Sequence, residues 1–66
     1  MRIVVNGKGR EVADEITIAE LIDDLSLQPL RVAVERNKQL VPRASHVRTT
    51  LFEDDQLEIV TLVGGG

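Results

Sequence analysis

The chain has 66 residues, a formal net charge of -3, a hydrophobic fraction of 42% and one aromatic residue, Phe52. This length allows one small domain, and the composition is typical of a folded chain. The absence of cysteine excludes a disulfide framework, a thiolate metal site and a catalytic thiol, and an acidic chain with one aromatic residue is not expected to bind nucleic acid.

The first predicted element is a β-hairpin. The apolar segment "IVV" and the segment "REV" flank "NGKG", in which Asn6-Gly7 tolerates the positive φ of a tight turn. A phosphate-binding loop at Gly7 and Gly9 is the alternative. Such a loop needs a helix N-terminus directly after it, whereas a strand-like segment follows here.

No apolar run resembles a signal peptide or a membrane span, so we expect a cytoplasmic protein without membrane contact.

Residues 16–29, "ITIAELIDDLSLQP", predict the one main helix. Thr17 and Glu20 have the spacing of a capping box, and Pro29 is expected to prevent continuation. One apolar face follows from the i, i+3, i+4, i+7 spacing of Ile18, Leu21, Ile22 and Leu25.

Charged residues are unevenly distributed along the chain. Residues 11–28 contain six acids and no base. The acids at Glu20, Asp23 and Asp24 lie off the apolar helix face, so we expect them to face solvent and not to form a metal or acid–base site. Five bases follow, and they form either a solvated surface or the rim of a docking face for an acidic partner: Arg31, Arg36, Lys38, Arg43 and Arg48.

Two strands are predicted after the helix. In "RVAVERNKQLV", Val32 and Val34 alternate with Ala33 and Glu35, which is typical of a half-buried strand. Turn residues at 37–38 then lead into a short fourth strand that ends before a proline.

Residues 43–56 are polar and rich in turn residues, and they predict a loop. We expect Leu51 and Phe52 to fill the core beneath it. Ser45 and His46 are adjacent, so their side chains are expected to point apart, and no oxyanion-hole motif is nearby; a surface loop is favoured over a hydrolase site. A metal site built from histidine and cysteine is unavailable, because His46 is the only histidine.

The last strand is predicted in "LEIVTLV", where Leu57 and Ile59 alternate with Glu58, Val60 and Leu62. One set is expected to face the helix. Val60 and Leu62 would then be exposed and form a partner surface, unless strand twist or the loop covers them.

The element order predicts an α+β fold. A hairpin, a helix, two short strands, a loop and a last strand form a mixed sheet of about four to five strands with one main helix across one face. This is the β-grasp arrangement, in which the first and last strands lie side by side and run parallel. We expect a domain over residues 1–63 and a flexible glycine tail over residues 64–66.

Several motifs in this order carry a family resemblance: "NG", "TIAEL", "VAVERN", "VPR", an acidic turn before "LEIV", and a final "GGG". Together they resemble, essentially end to end, the sulfur carrier proteins of thiazole biosynthesis, the ThiS family, which are ubiquitin-like β-grasp proteins. Two turns depart from the family pattern. Asn37-Lys38 stands where Asn-Gly is frequent, and Asp54-Asp55 stands where Gly-Asp is frequent, so only local turn shape is in doubt.

The resemblance implies a chemistry centred on Gly66. Its carboxylate would be adenylated with ATP by a ThiF-like activating enzyme and converted to a thiocarboxylate with sulfur drawn from cysteine, for example through a cysteine desulfurase. A ThiG-like thiazole synthase would receive the sulfur. Gly64 and Gly65 would thread into partner active sites. The chain itself would be a protein substrate, with no catalytic residue, bound cofactor or metal, and its partner surface would comprise Val60, Leu62 and Val63.

Three other functions remain open. The small subunit of molybdopterin synthase shares the fold and the thiocarboxylate chemistry, although its tail usually carries prolines where this chain has Leu62-Val63. The other two are a ubiquitin-like modifier and a binding domain whose terminal glycines have no function.

Overall fold

The computed structural model describes residues 1–62, and within them the chain folds into one mixed sheet with a helix across it. The sheet order is β2-β1-β5-β3-β4, with β1 and β5 parallel and the other pairs antiparallel. The predicted β-grasp arrangement is therefore confirmed. The elements are β1 (Arg2–Val5), β2 (Lys8–Glu11), α1 (Ile18–Asp24), β3 (Val32–Arg36), β4 (Gln39–Val41) and β5 (Gln56–Thr61), with 3-10 helices at Pro29–Arg31 and Arg43–Arg48.

Both hairpins close on two residues with left-handed backbone. Asn6 and Gly7 have φ values of 51° and 82°, and Asn37 and Lys38 have 51° and 70°. Positive φ at both central residues matches the twist of the flanking strands. The first turn is as predicted. In the second turn Lys38 occupies the left-handed position that glycine adopts more easily, because a Cβ is unfavourable at positive φ.

The N-terminus of α1 has the predicted capping box. The Thr17 backbone N–H donates to Glu20 Oε1 at 2.9 Å, and the Glu20 N–H donates to Thr17 Oγ1 at 3.2 Å. Ile16, just before the cap, and Leu21 are both buried, as a hydrophobic staple requires. Local sequence therefore determines where the helix begins and how it enters the core.

The C-terminus of α1 differs from the prediction, because the helix ends before Pro29 is reached. Ser26 has a φ of 59°, and its N–H donates to the Asp23 carbonyl at 2.9 Å. The Leu27 N–H reaches the Ile22 carbonyl at 3.1 Å. These two bonds form a Schellman motif with serine in place of the usual glycine. Pro29 instead begins the first 3-10 helix.

The core lies between α1 and one face of the sheet. Leu51 from the loop is buried there, as predicted, whereas Leu25 at the end of the helix is only half-buried. The buried apolar side chains are Ile3, Ile16, Ile18, Leu21, Ile22, Val32, Val34, Leu51, Leu57 and Ile59.

Two predictions for residues 43–56 are wrong. Phe52 is 60% exposed and not part of the core; its ring lies 5.7 Å from the Arg36 guanidinium carbon. His46 is buried and not on a surface loop, because a 3-10 helix that contacts α1 carries it inward. Its Nε2 lies 3.0 Å from the Val41 carbonyl, so Nε2 carries the proton and donates.

Asp55 is a buried carboxylate that joins three segments. It accepts hydrogen bonds from the Phe52 N–H at 2.8 Å, Arg36 Nε at 2.9 Å and Asn37 Nδ2 at 3.1 Å. Burial alone would raise the pKa of this carboxyl group. The bonds from Phe52, Asn37 and Arg36 outweigh burial and hold the pKa below its usual value.

We expect Asp55→Asn to lower the free energy of unfolding by about 2 kcal/mol. The substitution replaces one carboxylate oxygen, which accepts hydrogen bonds, by an NH2 group that donates and therefore faces other donors. Chemical denaturation measures the change. The matched control is Asp54→Asn, since Asp54 is exposed and asparagine tolerates its φ of 69°. Equal stability of the two variants would contradict a structural role for the Asp55 carboxylate.

The lowered pKa of Asp55 also predicts a pH dependence of stability. Because the folded pKa lies below the unfolded value, near 3.8, the carboxylate stabilises the fold above that pH. This contribution is lost as the pH falls through the folded pKa. When denaturation is measured down to about pH 2, the free energy of unfolding should therefore fall less steeply with decreasing pH for Asp55→Asn than for the parent chain. An equally steep fall in both chains would refute this assignment.

Candidate functional site

The predicted site comprises the outward side of β5 and the residues that follow it. Val63, Gly64, Gly65 and Gly66 lie outside the described residues. The roles of Gly66 as acyl site and of Gly64 and Gly65 as the threading segment therefore stay predictions, as does the division between a domain and a tail at residue 63. The structure does describe the strand and the residue that precede them, β5 and Leu62.

β5 occupies the centre of the sheet and is paired on both sides. It runs parallel to β1, with Val5 opposite Leu57, and antiparallel to β3 along its length. Beyond the last strand residue, the Leu62 N–H still donates to the Arg31 carbonyl at 2.7 Å. The backbone is thus held in place up to the last described residue.

Asn6 holds β5 with its side chain. Its Nδ2 donates to the Ile59 carbonyl at 3.0 Å, and its Oδ1 accepts from the Ile59 N–H at 2.7 Å. Its own backbone N–H donates to the Leu57 carbonyl at 2.8 Å. The amide therefore continues the β1–β5 ladder where β1 has turned away. Sequence reasoning recognised Asn6 only as a turn residue, since its long-range partners leave no local signal.

The two sides of β5 differ as the alternation predicts. Leu57 and Ile59 are buried, whereas Val60 is 54% and Leu62 52% exposed. Val60 lies opposite Ala33 in the neighbouring strand. Val60 and Leu62 are thus exposed on one side of the sheet, as a partner surface requires, and their role in binding stays a prediction.

A shallow groove of about 260 Å³ lies on this side of the sheet. The strand register places Glu58 and Leu40 opposite Glu35 from either side. We call this surface the open face and define it by Ala33, Glu35, Leu40, Glu58, Val60 and Leu62.

The other sequence candidates do not form a site in the described part of the chain. Arg36 is engaged by Asp55, so it does not belong to a free basic rim. The Ser45 carbonyl accepts from the Thr49 hydroxyl, and the His46 ring is directed at Val41. Over residues 1–62 no group of three or more histidine, cysteine, aspartate or glutamate residues could hold a metal ion. No helix among these residues is long and apolar enough to cross a membrane.

Comparison with known proteins gives consistent matches. The model of the ThiS family matches residues 3–66. The sulfur carrier protein ThiS of Bacillus subtilis is 36% identical, covering 94% of this chain and 96% of that protein. A crystal structure of the thiamine biosynthesis protein ThiS from Geobacter metallireducens superposes with a TM-score of 0.86 at 33% identity, covering 100% of both chains.

A longer relative has a different name. The thiazole synthase of Paramagnetospirillum magneticum is 38% identical over all 66 residues, which make up 20% of that protein. The chain thus spans about a fifth of the length of the first curated relatives it matches.

Separate substitutions of two neighbouring residues of β5 test whether one side of the strand is buried and the other exposed. We expect Val60→Asp to change the free energy of unfolding by at most about 1 kcal/mol, because the side chain already meets water. Ile59→Asp should cost about 3 kcal/mol or more, because it buries a charge in the core. Thermal and chemical denaturation compare the two variants. A Val60→Asp chain that unfolds like Ile59→Asp would show that Val60 is packed.

Proposed function

The chain belongs to the ThiS family, and from that membership we propose that it is a sulfur carrier in thiamine biosynthesis. The family match extends over residues 3–66. The Bacillus subtilis and Escherichia coli proteins that it resembles over nearly their whole length are both named sulfur carrier protein ThiS. This agreement in name, length and fold is the observation that carries the proposal.

The proposed chemistry takes place at the carboxylate of Gly66, where that residue ends the mature chain. A carboxylate oxygen attacks the α-phosphorus of ATP, pyrophosphate leaves, and an acyl adenylate forms. A sulfur nucleophile at the oxidation level of sulfide then attacks the acyl carbon, and AMP leaves with the bonding electrons of the C–O bond. The product is a thiocarboxylate that can donate its sulfur to the thiazole ring.

In this proposal the folded body positions the reactive end, and the partners perform the catalysis. The pairing of Leu62 with Arg31 holds the backbone at the end of β5. Four residues, 63–66, follow Leu62, and at full extension they span about 14 Å. Gly64 and Gly65 present no Cβ, so this segment suits a narrow channel. The chain is then a carrier and not an enzyme.

The proposed partners follow from the steps of this chemistry. A ThiF-like adenylating enzyme binds ATP and activates Gly66. A cysteine desulfurase is the class of enzyme that supplies the sulfur as a persulfide, and a thiol reductant, itself oxidised to a disulfide, releases that sulfur at the oxidation level of sulfide. A ThiG-like thiazole synthase consumes the thiocarboxylate. The last assignment has independent support, because relatives that contain a segment similar to this entire chain are named thiazole synthase.

Intact-mass measurement tests the proposal directly. The chain is incubated with ATP, a ThiF-like enzyme, a cysteine desulfurase, cysteine and a thiol reductant. We expect a mass increase that corresponds to one oxygen replaced by sulfur, and fragmentation should locate it at Gly66. A chain that lacks Gly65 and Gly66 should remain unmodified.

The positive control is the Bacillus subtilis ThiS protein under the same conditions. If that protein is converted and the present chain is not, the proposed function is wrong. Adducts linked to lysine side chains would instead support a ubiquitin-like modifier.

A further inference from the structure

Two carboxylates face each other at the centre of the open face. Glu35 and Glu58 are register partners on β3 and β5, so their Cβ atoms lie about 5 Å apart and their side chains share one side of the sheet. Both residues are exposed, and neither has an ion-pair partner among residues 1–62. The free chain therefore carries an uncompensated like-charge pair on this face.

Basic residues of the neighbouring strands do not neutralise the pair. Arg36 follows Glu35 in sequence, but its Nε is 2.9 Å from Asp55 Oδ2. The Arg2 guanidinium lies over Gly9 in the outer hairpin, where a Cβ would overlap it. Like charges directly opposite one another destabilise a sheet, so the fold alone gives no reason for this pair.

The surroundings of the two carboxylates are apolar. Leu40 is 67% exposed beside Glu35, and Val60 is exposed two residues after Glu58. Together with Ala33, opposite Val60, they line the groove around the acids. An apolar groove with a negative centre complements a long side chain that has an aliphatic stem and a cationic head.

We propose that the open face binds the thiazole synthase and that the synthase places an arginine side chain between Glu35 and Glu58. A planar guanidinium donates in two directions at once and can bridge two carboxylates, whereas a lysine ammonium acts as a point charge. The stem of the arginine packs against Leu40 and Val60. The choice of the thiazole synthase as partner rests on the proposed function. The charge and shape of the inserted side chain are inferred from the residues of the open face.

The position of the face fits this role. Gly66 is the sixth residue after Val60, and at full extension these six residues span about 21 Å. A synthase bound at Glu35 and Glu58 therefore keeps its active site within reach of the acyl carbon. Docking and sulfur delivery can use the same encounter.

The experiment measures binding of the unmodified chain to the thiazole synthase of the same organism by calorimetry at low and high salt. We expect the double variant Glu35→Gln, Glu58→Gln to bind at least about tenfold more weakly, with a smaller salt dependence. Val60→Ser should also weaken binding. The matched control, Asp23→Asn with Asp24→Asn, removes two exposed charges from α1 on the other side of the sheet and should bind like the parent.

Stability measurements separate binding from folding. The glutamine double variant should be at least as stable as the parent, because the repulsion is removed. If it binds the synthase as tightly as the parent, the proposed arginine contact is wrong. Absence of binding by the parent, or a loss seen only with the adenylating enzyme, would overturn the choice of partner.

The outcome is distinguishable from that of the proposed function. Binding is measured without ATP or sulfur, so it does not require a thiocarboxylate. A parent chain that is thiocarboxylated, with a double variant that binds normally, would reject this inference alone. A parent chain that is never thiocarboxylated, with a double variant that binds weakly, would reject the sulfur-carrier function and keep the docking face.

Discussion

The parallel pairing of β1 with β5 joins segments about fifty residues apart, and the arrangement of the other elements depends on it. Parallel strands cannot be joined by a tight turn, so the intervening chain must cross one side of the sheet. Here α1 makes that crossing. Asn6 extends the pairing with an amide that acts as an additional ladder residue for Ile59. Because β3 pairs with the other edge of β5, the last strand has no free edge.

A single short helix covers only one side of this sheet, and this has two consequences. The apolar core is small, so buried polar contacts contribute to the definition of the fold; Asp55, linked to Arg36, Asn37 and Phe52, is the clearest case. The second consequence is the open face, where exposed aliphatic side chains surround two acids. Incomplete coverage of the sheet thus leaves the surface that the proposed partner would bind.

Features set by neighbours in sequence could be predicted. The Asn6-Gly7 turn, the Thr17 cap and the alternation on β5 depend on backbone preferences and on side-chain periods of 2 or 3.6, and these predictions were confirmed in the described residues. Features set by distant partners could not. The burial of His46 and the exposure of Phe52 depend on how residues 43–56 fold back onto α1 and β3. The helix ends at Asp24, ahead of Pro29, because a Schellman motif needs only two hydrogen bonds and a tolerated left-handed residue, here Ser26.

The hydrogen bond between Leu62 and Arg31 has a consequence for the proposed reaction. It fixes the point from which residues 63–66 start, and their number limits the distance between Leu62 and Gly66 to about 14 Å at full extension. In the proposed reaction, a partner bound to the folded body meets the Gly66 carbonyl group in an intramolecular encounter, with an effective concentration on the order of millimolar for a short connection. Lengthening the segment after Leu62 would lower that concentration without changing any contact. The anchored end of β5 thus sets the distance from which the proposed acyl site is presented to a partner.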